Sequence, residues 1–482
     1  MYLDQDKFKI YLYFRWQNPI NPKPWTPTVY DATFVRPGCP QNGCKDMNPA
    51  LVCPDKVAED CLFLYIWTPL NANSSSNIPV MVYIHGGNFV HMSAGSLLFD
   101  GENLANKGQV IIINVEYRLG ALGFLLTKDT QKGKGATGNY AILDQQQALR
   151  WIYENIKGFG GDPEQITLFG QSAGAQSTVV HLMNKESSKY FKRAIIESAP
   201  VSIPFKDKTE MLFIGNLLAD QLNCPEGDLT CLTSKTAEEI AEAQHITRPI
   251  PSSLKLLEFF EPWVPYVDGD IVPYQPLEAM RRGLFTNKPI MIGTVTEETR
   301  IYVYSAWSNN LTPFEYAAAL AATFPSEIAN VLELYPPPPL DDDRDALIVP
   351  ATDYVFTCCT RGSTWLYVYD HAFSFPGWAP FNYCQGHVCH GSEIPILLRS
   401  WSNGNFTATP DEVALSEQLM IYWTNFAKSA DPNTGLKSNL MWPKYTLDGK
   451  WPYMHFKTPA DENGVNWRGK YCDFWDAVGY KA

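Results

Sequence analysis

The chain has 482 residues, of which 45% are hydrophobic and 18% are charged, so it has the composition of a globular protein with a large core. Its formal net charge of −13 argues against a nucleic-acid partner, because no basic stripe is present to neutralise phosphates. No run of about twenty apolar residues occurs, so we predict no transmembrane segment.

The first part of the chain, residues 19–54, is rich in Pro, Asn, Gly and Cys and is typical of an irregular lobe held by cross-links. Short apolar runs follow, rich in β-branched residues and bounded by Gly, Pro or Asn. Such runs are typical of strands buried on both faces of a sheet. The predicted strands are 62–67, 80–84, 110–115, 166–169, 289–293 and 365–369.

Helical patterns lie between these strands. The clearest covers 140–155, where Ile142, Leu149 and Ile152 recur at helical spacing. Residues 209–260 are also expected to be mainly helical. Alternating strands and helices predict an α/β protein with a mostly parallel sheet. We expect residues 1–482 to form one domain, because single α/β domains with long insertions reach this length.

Eleven cysteines are many for a reducing compartment. Cys224 and Cys231 bracket a short loop, and so do Cys384 and Cys389. Close pairs of this kind indicate disulfides and an oxidising compartment. A zinc site is less favoured, because there is no CxxC pair or His/Cys cluster with ligand spacing.

Three glycosylation acceptor triplets, at Asn73, Asn310 and Asn405, agree with a secretory route. Charged residues such as Asp4 and Lys7 interrupt any hydrophobic signal core near the start. We therefore expect a secreted or secretory-pathway protein whose signal peptide is not present in this chain.

The strongest functional signal is the sequence GQSAG at 170–174, which follows the predicted strand 166–169 and precedes a helical pattern. This is the GxSxG nucleophile elbow, in which the serine sits at a sharp strand-to-helix turn. Gly170 and Gly174 supply the space that this turn requires. Ser172 is therefore the predicted nucleophile.

An oxyanion loop is predicted from the sequence HGGNF at 85–89, directly after the strand 80–84. Ester hydrolysis needs N–H groups directed at the oxygen on which negative charge develops. Gly87, Asn88 and Ala173 are the predicted donors. The alternative is an ordinary Gly-Gly turn, which the elbow makes less favoured.

Further motifs occur over residues 15–475. They are EDCL at 59–62, YIHGG at 83–87, YRLG at 117–120, GNY at 138–140, DQ at 144–145, the run 159–174, VDG at 267–269, the run 293–298, HGSE at 390–393 and WTNFA at 423–427. In combination they resemble the type-B carboxylesterase and cholinesterase family. The resemblance implies an α/β-hydrolase fold with a large, mostly parallel central sheet flanked by helices.

The resemblance also implies the rest of a catalytic triad, in the chain order Ser, acid, His. The family's acid follows a strand-ending glycine and corresponds to Glu298, with Glu297 as the alternative. The family's histidine precedes Gly-x-Glu, as His390 does and His387 does not. In this scheme Ser172 attacks, His390 moves the proton and Glu298 orients the imidazole, and no metal or organic cofactor is required.

Disulfides and pocket residues follow from the same resemblance. The implied disulfides are Cys39–Cys61, Cys224–Cys231 and Cys358–Cys472. Spacing adds Cys44–Cys53 and Cys384–Cys389, which leaves Cys359 free. By family position the residues expected near the acyl group are Phe205, Phe259, Glu261 and Tyr302.

Three departures from the family limit what the resemblance implies. Asn88 stands where the family has a third glycine, and its side chain could narrow the oxyanion hole. Gln171 replaces an acidic residue of the cholinesterases, and Ala50 and Leu51 stand near the position of their choline-binding tryptophan, so a choline ester is not the expected substrate. The family also has residues before the segment matching 13–16, so we expect this N-terminus to be shortened.

The sequence therefore predicts a serine carboxylesterase that hydrolyses small to medium esters through an acyl-enzyme, as a monomer or homodimer. The alternative is a catalytically impaired, esterase-like binding or adhesion protein. Because Ser172, Glu298 and His390 are all retained, we favour the enzyme.

Overall fold

A sheet of nine strands forms the centre of the computed structural model, which describes residues 15–22, 31–130, 138–246, 261–338, 341–361, 364–436, 440–446 and 450–480. In chain order the strands are β1 Leu64–Trp67, β2 Ile78–Ile84, β3 Ile111–Val115, β4 Gly161–Gln171, β5 Arg193–Glu197, β6 Ile290–Val295, β7 Trp365–Tyr369, β8 Pro452–Phe456 and β9 Glu462–Val465. Their spatial order is β1-β3-β2-β4-β5-β6-β7-β8-β9. The edge strands β1 and β9 pair antiparallel, and the strands between them pair in parallel.

The central strands are apolar on both faces, as a parallel sheet covered by helices requires. Every residue of β3 and of β7 is buried. In β2, Val80 and Val82 face one apolar layer, whereas Met81 and Tyr83 face the other. This alternation follows from the period of two in a strand, and it places one core on each side of the sheet.

Helices pack against both layers. In chain order the α-helices of the described residues are α1 Cys44–Met47, α2 Glu102–Gly108, α3 Gly120–Phe124, α4 Tyr140–Asn155, α5 Ala173–Met183, α6 Lys208–Gln221, α7 Leu229–Ser234, α8 Ala237–Ile246, α9 Pro276–Arg282, α10 Arg300–Ala306, α11 Pro313–Thr323, α12 Ile328–Leu334, α13 Arg344–Thr352, α14 Ile394–Leu397, α15 Pro410–Ser429 and α16 Gly469–Val478. Helix α4 has the predicted bounds. Within the described chain no helix is both long and apolar enough to cross a bilayer.

The sequence patterns missed three strands and shortened a fourth. Strand β5 is an apolar triplet between Arg193 and Glu197, too short to stand out as a run. Strand β8 begins with a proline and contains His455, and β9 is largely exposed at the sheet edge. Strand β4 extends to Gln171, so it ends directly at the elbow. The helical prediction for 209–260 holds for α6 to α8, and residues 247–260 lie outside the described part.

Disulfides cross-link segments that lie outside the strands of the sheet. The structure contains Cys39–Cys61, Cys44–Cys53, Cys224–Cys231, Cys358–Cys472 and Cys384–Cys389, which are the predicted pairings. Among the described cysteines, Cys359 is free, and it is buried. The pair Cys358–Cys472 closes the longest loop, with a sequence separation of 114 residues, and so restricts the unfolded chain most.

Candidate active site

Ser172 lies between β4 and α5 in a backbone conformation that non-glycine residues rarely adopt, with φ 59° and ψ −125°. The turn presses closely against β2. A Cβ atom on Gly174 would lie 1.9 Å from the carbonyl oxygen of Ile84, and one on Gly170 would lie 2.5 Å from the backbone of Gly174. These contacts explain why both elbow positions need glycine.

Glu298, three residues after β6, and His390, in the long connection between β7 and α14, form a buried pair. The distance between His390 Nδ1 and Glu298 Oε2 is 2.5 Å, and the side chains are 8% and 0% exposed. The backbone N–H of Val295 donates to the other oxygen of Glu298 at 2.9 Å, which fixes the carboxylate. Because Nδ1 faces the acid, Nε2 is the ring nitrogen left for a proton transfer.

Glu297, the alternative acid, contacts a different histidine. Its carboxylate lies 3.1 Å from His387 Nδ1 and 3.1 Å from the guanidinium of Arg300. It also accepts the backbone N–H of Val388 at 2.8 Å, so it joins the acid loop to the histidine loop. The geometry therefore favours Glu298 over Glu297 as the partner of His390.

The predicted oxyanion loop follows β2 with three consecutive residues at positive φ, namely Gly87 at 96°, Asn88 at 54° and Phe89 at 60°. A Cβ atom on Gly87 would lie 2.3 Å from the carbonyl oxygen of His91, so only glycine fits there. In the described loops and turns, the backbone N–H groups of Gly87, Asn88 and Ala173 donate no hydrogen bond. They are available to an oxyanion.

A cavity of about 520 Å³ opens onto Ser172 and His390. Its wall is mainly apolar and rich in aromatic rings, and those of Phe373 and Phe375 stack with centroids 4.4 Å apart. The aromatic residues in the wall are Phe99, Tyr302, Phe373, Phe375, Trp378, Phe381, Tyr383, Trp401 and Phe406. Sequence reasoning missed most of this wall, although the aromatic-rich run 373–383 before the histidine was an available signal.

A second, much smaller cavity of about 10 Å³ lies beside Asn88 and is lined by Glu261 and Tyr302, two of the residues expected near the acyl group. Glu261 is buried and accepts a hydrogen bond from Gln176 at 3.2 Å, and burial raises the pKa of its carboxyl to about 7. Phe205 is buried but lines neither of these cavities. Phe259 lies outside the described residues.

Glu197, a buried acid at the end of β5, contacts the nucleophile elbow. The backbone N–H of Ser172 donates to the carbonyl oxygen of Glu197 at 2.9 Å. The indole N–H of Trp423 donates to the Glu197 carboxyl at 2.6 Å, and burial raises the pKa of this carboxyl to about 8. Burial, with Glu197 and Glu298 nearby, also raises the pKa of Glu393 well above its usual range. Burial therefore favours the protonated form of both carboxyls.

The burial of Glu197 predicts that the stability of the fold depends on pH. The folded pKa of Glu197 is about 8 against about 4.5 in the unfolded chain, so unfolding releases a proton between these values and stability falls as pH rises through this window. A Glu197→Gln variant keeps an acceptor for Trp423 but does not ionise. We expect the free energy of unfolding, measured with urea, to fall less between pH 5 and pH 8 in this variant than in the wild type, with a difference of about 3 kcal/mol. Equal losses in both proteins would contradict the prediction.

The mostly parallel sheet, together with the strained turn that places Ser172 directly after β4, defines an α/β-hydrolase. More closely, the chain belongs to the carboxylesterase family, whose sequence model matches residues 13–329 and 345–475. The resemblance read from the motifs is thereby confirmed.

Relatives of this chain include esterases. It is 37% identical over 444 residues to the cAMP-regulated D2 protein of Dictyostelium discoideum, covering 90% of this chain and 81% of that protein. It is 30% identical to acetylcholinesterase of Bungarus fasciatus, covering 96% and 80% of the two chains. It is 32% identical to cocaine esterase of Homo sapiens, covering 79% and 69%.

Proposed function

We propose that this protein is a serine carboxylesterase in which Ser172 is the nucleophile, His390 the general base and acid, and Glu298 the residue that orients the imidazole. The observation that carries the proposal is the buried His390–Glu298 pair at 2.5 Å, in which His390 lies on the wall of the same cavity as the strained Ser172. A fixed carboxylate, an imidazole and a serine at a sharp turn are the parts that acyl transfer needs.

The reaction follows from these positions. Ser172 Oγ attacks the acyl carbon while His390 Nε2 takes its proton, and the N–H groups of Gly87, Asn88 and Ala173 stabilise the oxyanion. Each such donor is worth about 10²- to 10³-fold in rate. The ester C–O bond then breaks, and the alcohol leaves with the proton from His390. Water repeats the sequence on the acyl-enzyme and releases the acid.

The cavity favours esters of small to medium size with apolar or aryl groups. Its volume of about 520 Å³ and its aromatic wall suit such groups, and Asp46 is the one carboxylate on its lining. Leu51 lies on this wall, and the neutral Gln171 stands beside the nucleophile. These two positions carry an acidic residue and a tryptophan in cholinesterases and offer no such partner to a quaternary ammonium group here, so a choline ester is disfavoured.

We also propose a secretory location. Five disulfides are typical of an oxidising compartment. The three acceptor asparagines, Asn73, Asn310 and Asn405, are all exposed, as attachment of a glycan requires.

The test is hydrolysis of p-nitrophenyl acetate and butyrate by the purified protein, together with labelling by a fluorophosphonate that reacts with activated serines. We expect release of nitrophenol and one adduct per chain, found by mass spectrometry on the peptide that contains Ser172. A folded protein that neither hydrolyses these esters nor takes the label would overturn the proposal.

One observation favours the impaired binding protein as a second candidate. No hydrogen bond joins Ser172 to His390 among the described residues, and Asn88, which stands where the family has a glycine, lies on the wall of the same cavity. If the same assay shows neither hydrolysis nor labelling while the cavity still binds apolar esters, this second candidate replaces the first.

A further inference from the structure

The side-chain amide of Gln171 contacts Nε2 of His390, the ring nitrogen that takes the proton in the proposed mechanism. The amide nitrogen of Gln171 lies 3.0 Å from His390 Nε2, and the residue is buried, with 6% of its surface exposed. The Ser172 side chain instead interacts with the hydroxyl of Tyr302, which also donates to Asn88 Oδ1 at 3.5 Å. In this arrangement the nucleophile and the base each have another partner.

Only one donor at a time can use this nitrogen. Because His390 Nδ1 faces Glu298, the neutral ring carries its proton there, and Nε2 has a single lone pair. The amide N–H of Gln171 and the hydroxyl of Ser172 therefore compete for one acceptor. When the Ser172 hydroxyl donates to this nitrogen, it can lose its proton there and become a nucleophile. When the Gln171 amide donates, no proton is transferred and the acceptor is only blocked.

The amide is held between two loops. A Cβ atom on Gly86, in the oxyanion loop, would lie 2.9 Å from Gln171 Oε1, and one on Gly391, in the histidine loop, would lie 3.8 Å from Gln171 Nε2. The oxygen therefore faces one loop and the nitrogen faces the other. Rotation of the amide by half a turn would exchange them.

We propose that Gln171 is a positioning residue that holds His390 Nε2 in the substrate-free protein and yields it to Ser172 when an ester enters. The proposal rests on the esterase function proposed above. An N–H donor stabilises the neutral ring, whose Nε2 accepts, over the imidazolium, whose Nε2 donates. Gln171 thus keeps His390 in the state that can take a proton.

Besides Gln171, three side chains of the described residues face His390. Glu298 faces it from the loop after β6, and the Tyr302 ring on α10 lies 5.8 Å from its ring. The Phe356 ring lies 5.2 Å away and carries no titratable group. Glu393 follows on the same loop and interacts with Glu298. Variants at position 171 leave all of these groups in place, so their differences report on this side chain.

The experiment compares the wild type with Gln171→Ala and Gln171→Glu. The measured quantity is the pH midpoint of the acid limb of kcat/KM for p-nitrophenyl acetate. We expect the midpoint to rise by a few tenths of a unit in Gln171→Ala and by about one unit or more in Gln171→Glu, where a carboxylate stabilises the imidazolium. Gln221→Glu adds the same charge at the exposed end of α6 and is the matched control, with no expected shift.

A second measurement does not need activity. In a Ser172→Ala background, NMR of ¹³C-labelled histidine gives the titration midpoint of the His390 ring directly, and we expect the same order. An unchanged or lowered midpoint in Gln171→Ala, by either measurement, would overturn the proposal, since it would mean that the amide presents its oxygen to His390 or does not contact it. If the NMR order holds but no protein hydrolyses esters, the contact stands and the esterase function fails.

Discussion

Ser172→Ala is expected to lower kcat/KM for p-nitrophenyl acetate by about 10⁵-fold or more, because the acyl-enzyme cannot form without the hydroxyl and no other step replaces it. The variant should fold, since alanine is smaller than serine and the backbone N–H still donates to Glu197. Steady-state hydrolysis at pH 8 measures the effect.

Ser188→Ala is the matched control for this substitution. Ser188 is also buried, but its hydroxyl donates to the carbonyl of Lys185 in a turn outside the cavity wall. We expect it to retain full activity. Ester release that persists in Ser172→Ala would mean that another group is the nucleophile.

Glu298→Gln is expected to lower kcat by about 10³- to 10⁴-fold with little change in fold. The amide keeps the size of the carboxyl but removes its charge. It can also present an N–H to His390 Nδ1, and the ring proton then moves to Nε2, where it blocks the transfer from Ser172.

Glu297→Gln is the control for this acid, because the two residues are adjacent and chemically identical. Since Glu297 contacts His387 and Arg300 rather than His390, we expect kcat to fall by less than about tenfold. Comparable losses in both variants, or a larger loss in Glu297→Gln, would move the assignment of the acid.

Local sequence patterns predicted most strands of the sheet, and the strand and the helix that flank the nucleophile elbow. Strands such as β3 are continuous apolar runs because both faces are buried, and this leaves a clear signal. Strand β9 is exposed and β5 is a short triplet, so neither leaves a pattern that a window along the chain can detect. Edge position and burial by distant segments are properties of the whole fold.

The same distinction applies to the site. The elbow and the oxyanion loop are local turns with strict space requirements at Gly174 and Gly87, so they were readable from a few residues. The acid and the histidine came from the family resemblance, because their meeting depends on where β6 and β7 lie in the sheet. The contact between Gln171 and His390 joins residues 219 apart in sequence and depends on one side-chain rotamer, which no spacing encodes.

The bond between Cys358 and Cys472 makes the last quarter of the chain a covalent ring that contains His390, whereas Ser172 and Glu298 lie outside it. A protease that cuts once anywhere inside this ring therefore cannot detach the base from the rest of the active site. A nicked molecule would migrate as one band on a gel without reductant and as two bands with it. Because the disulfide holds its two fragments together, the nicked molecule can keep its active site assembled, whereas a nicked protein without this bond can lose a fragment.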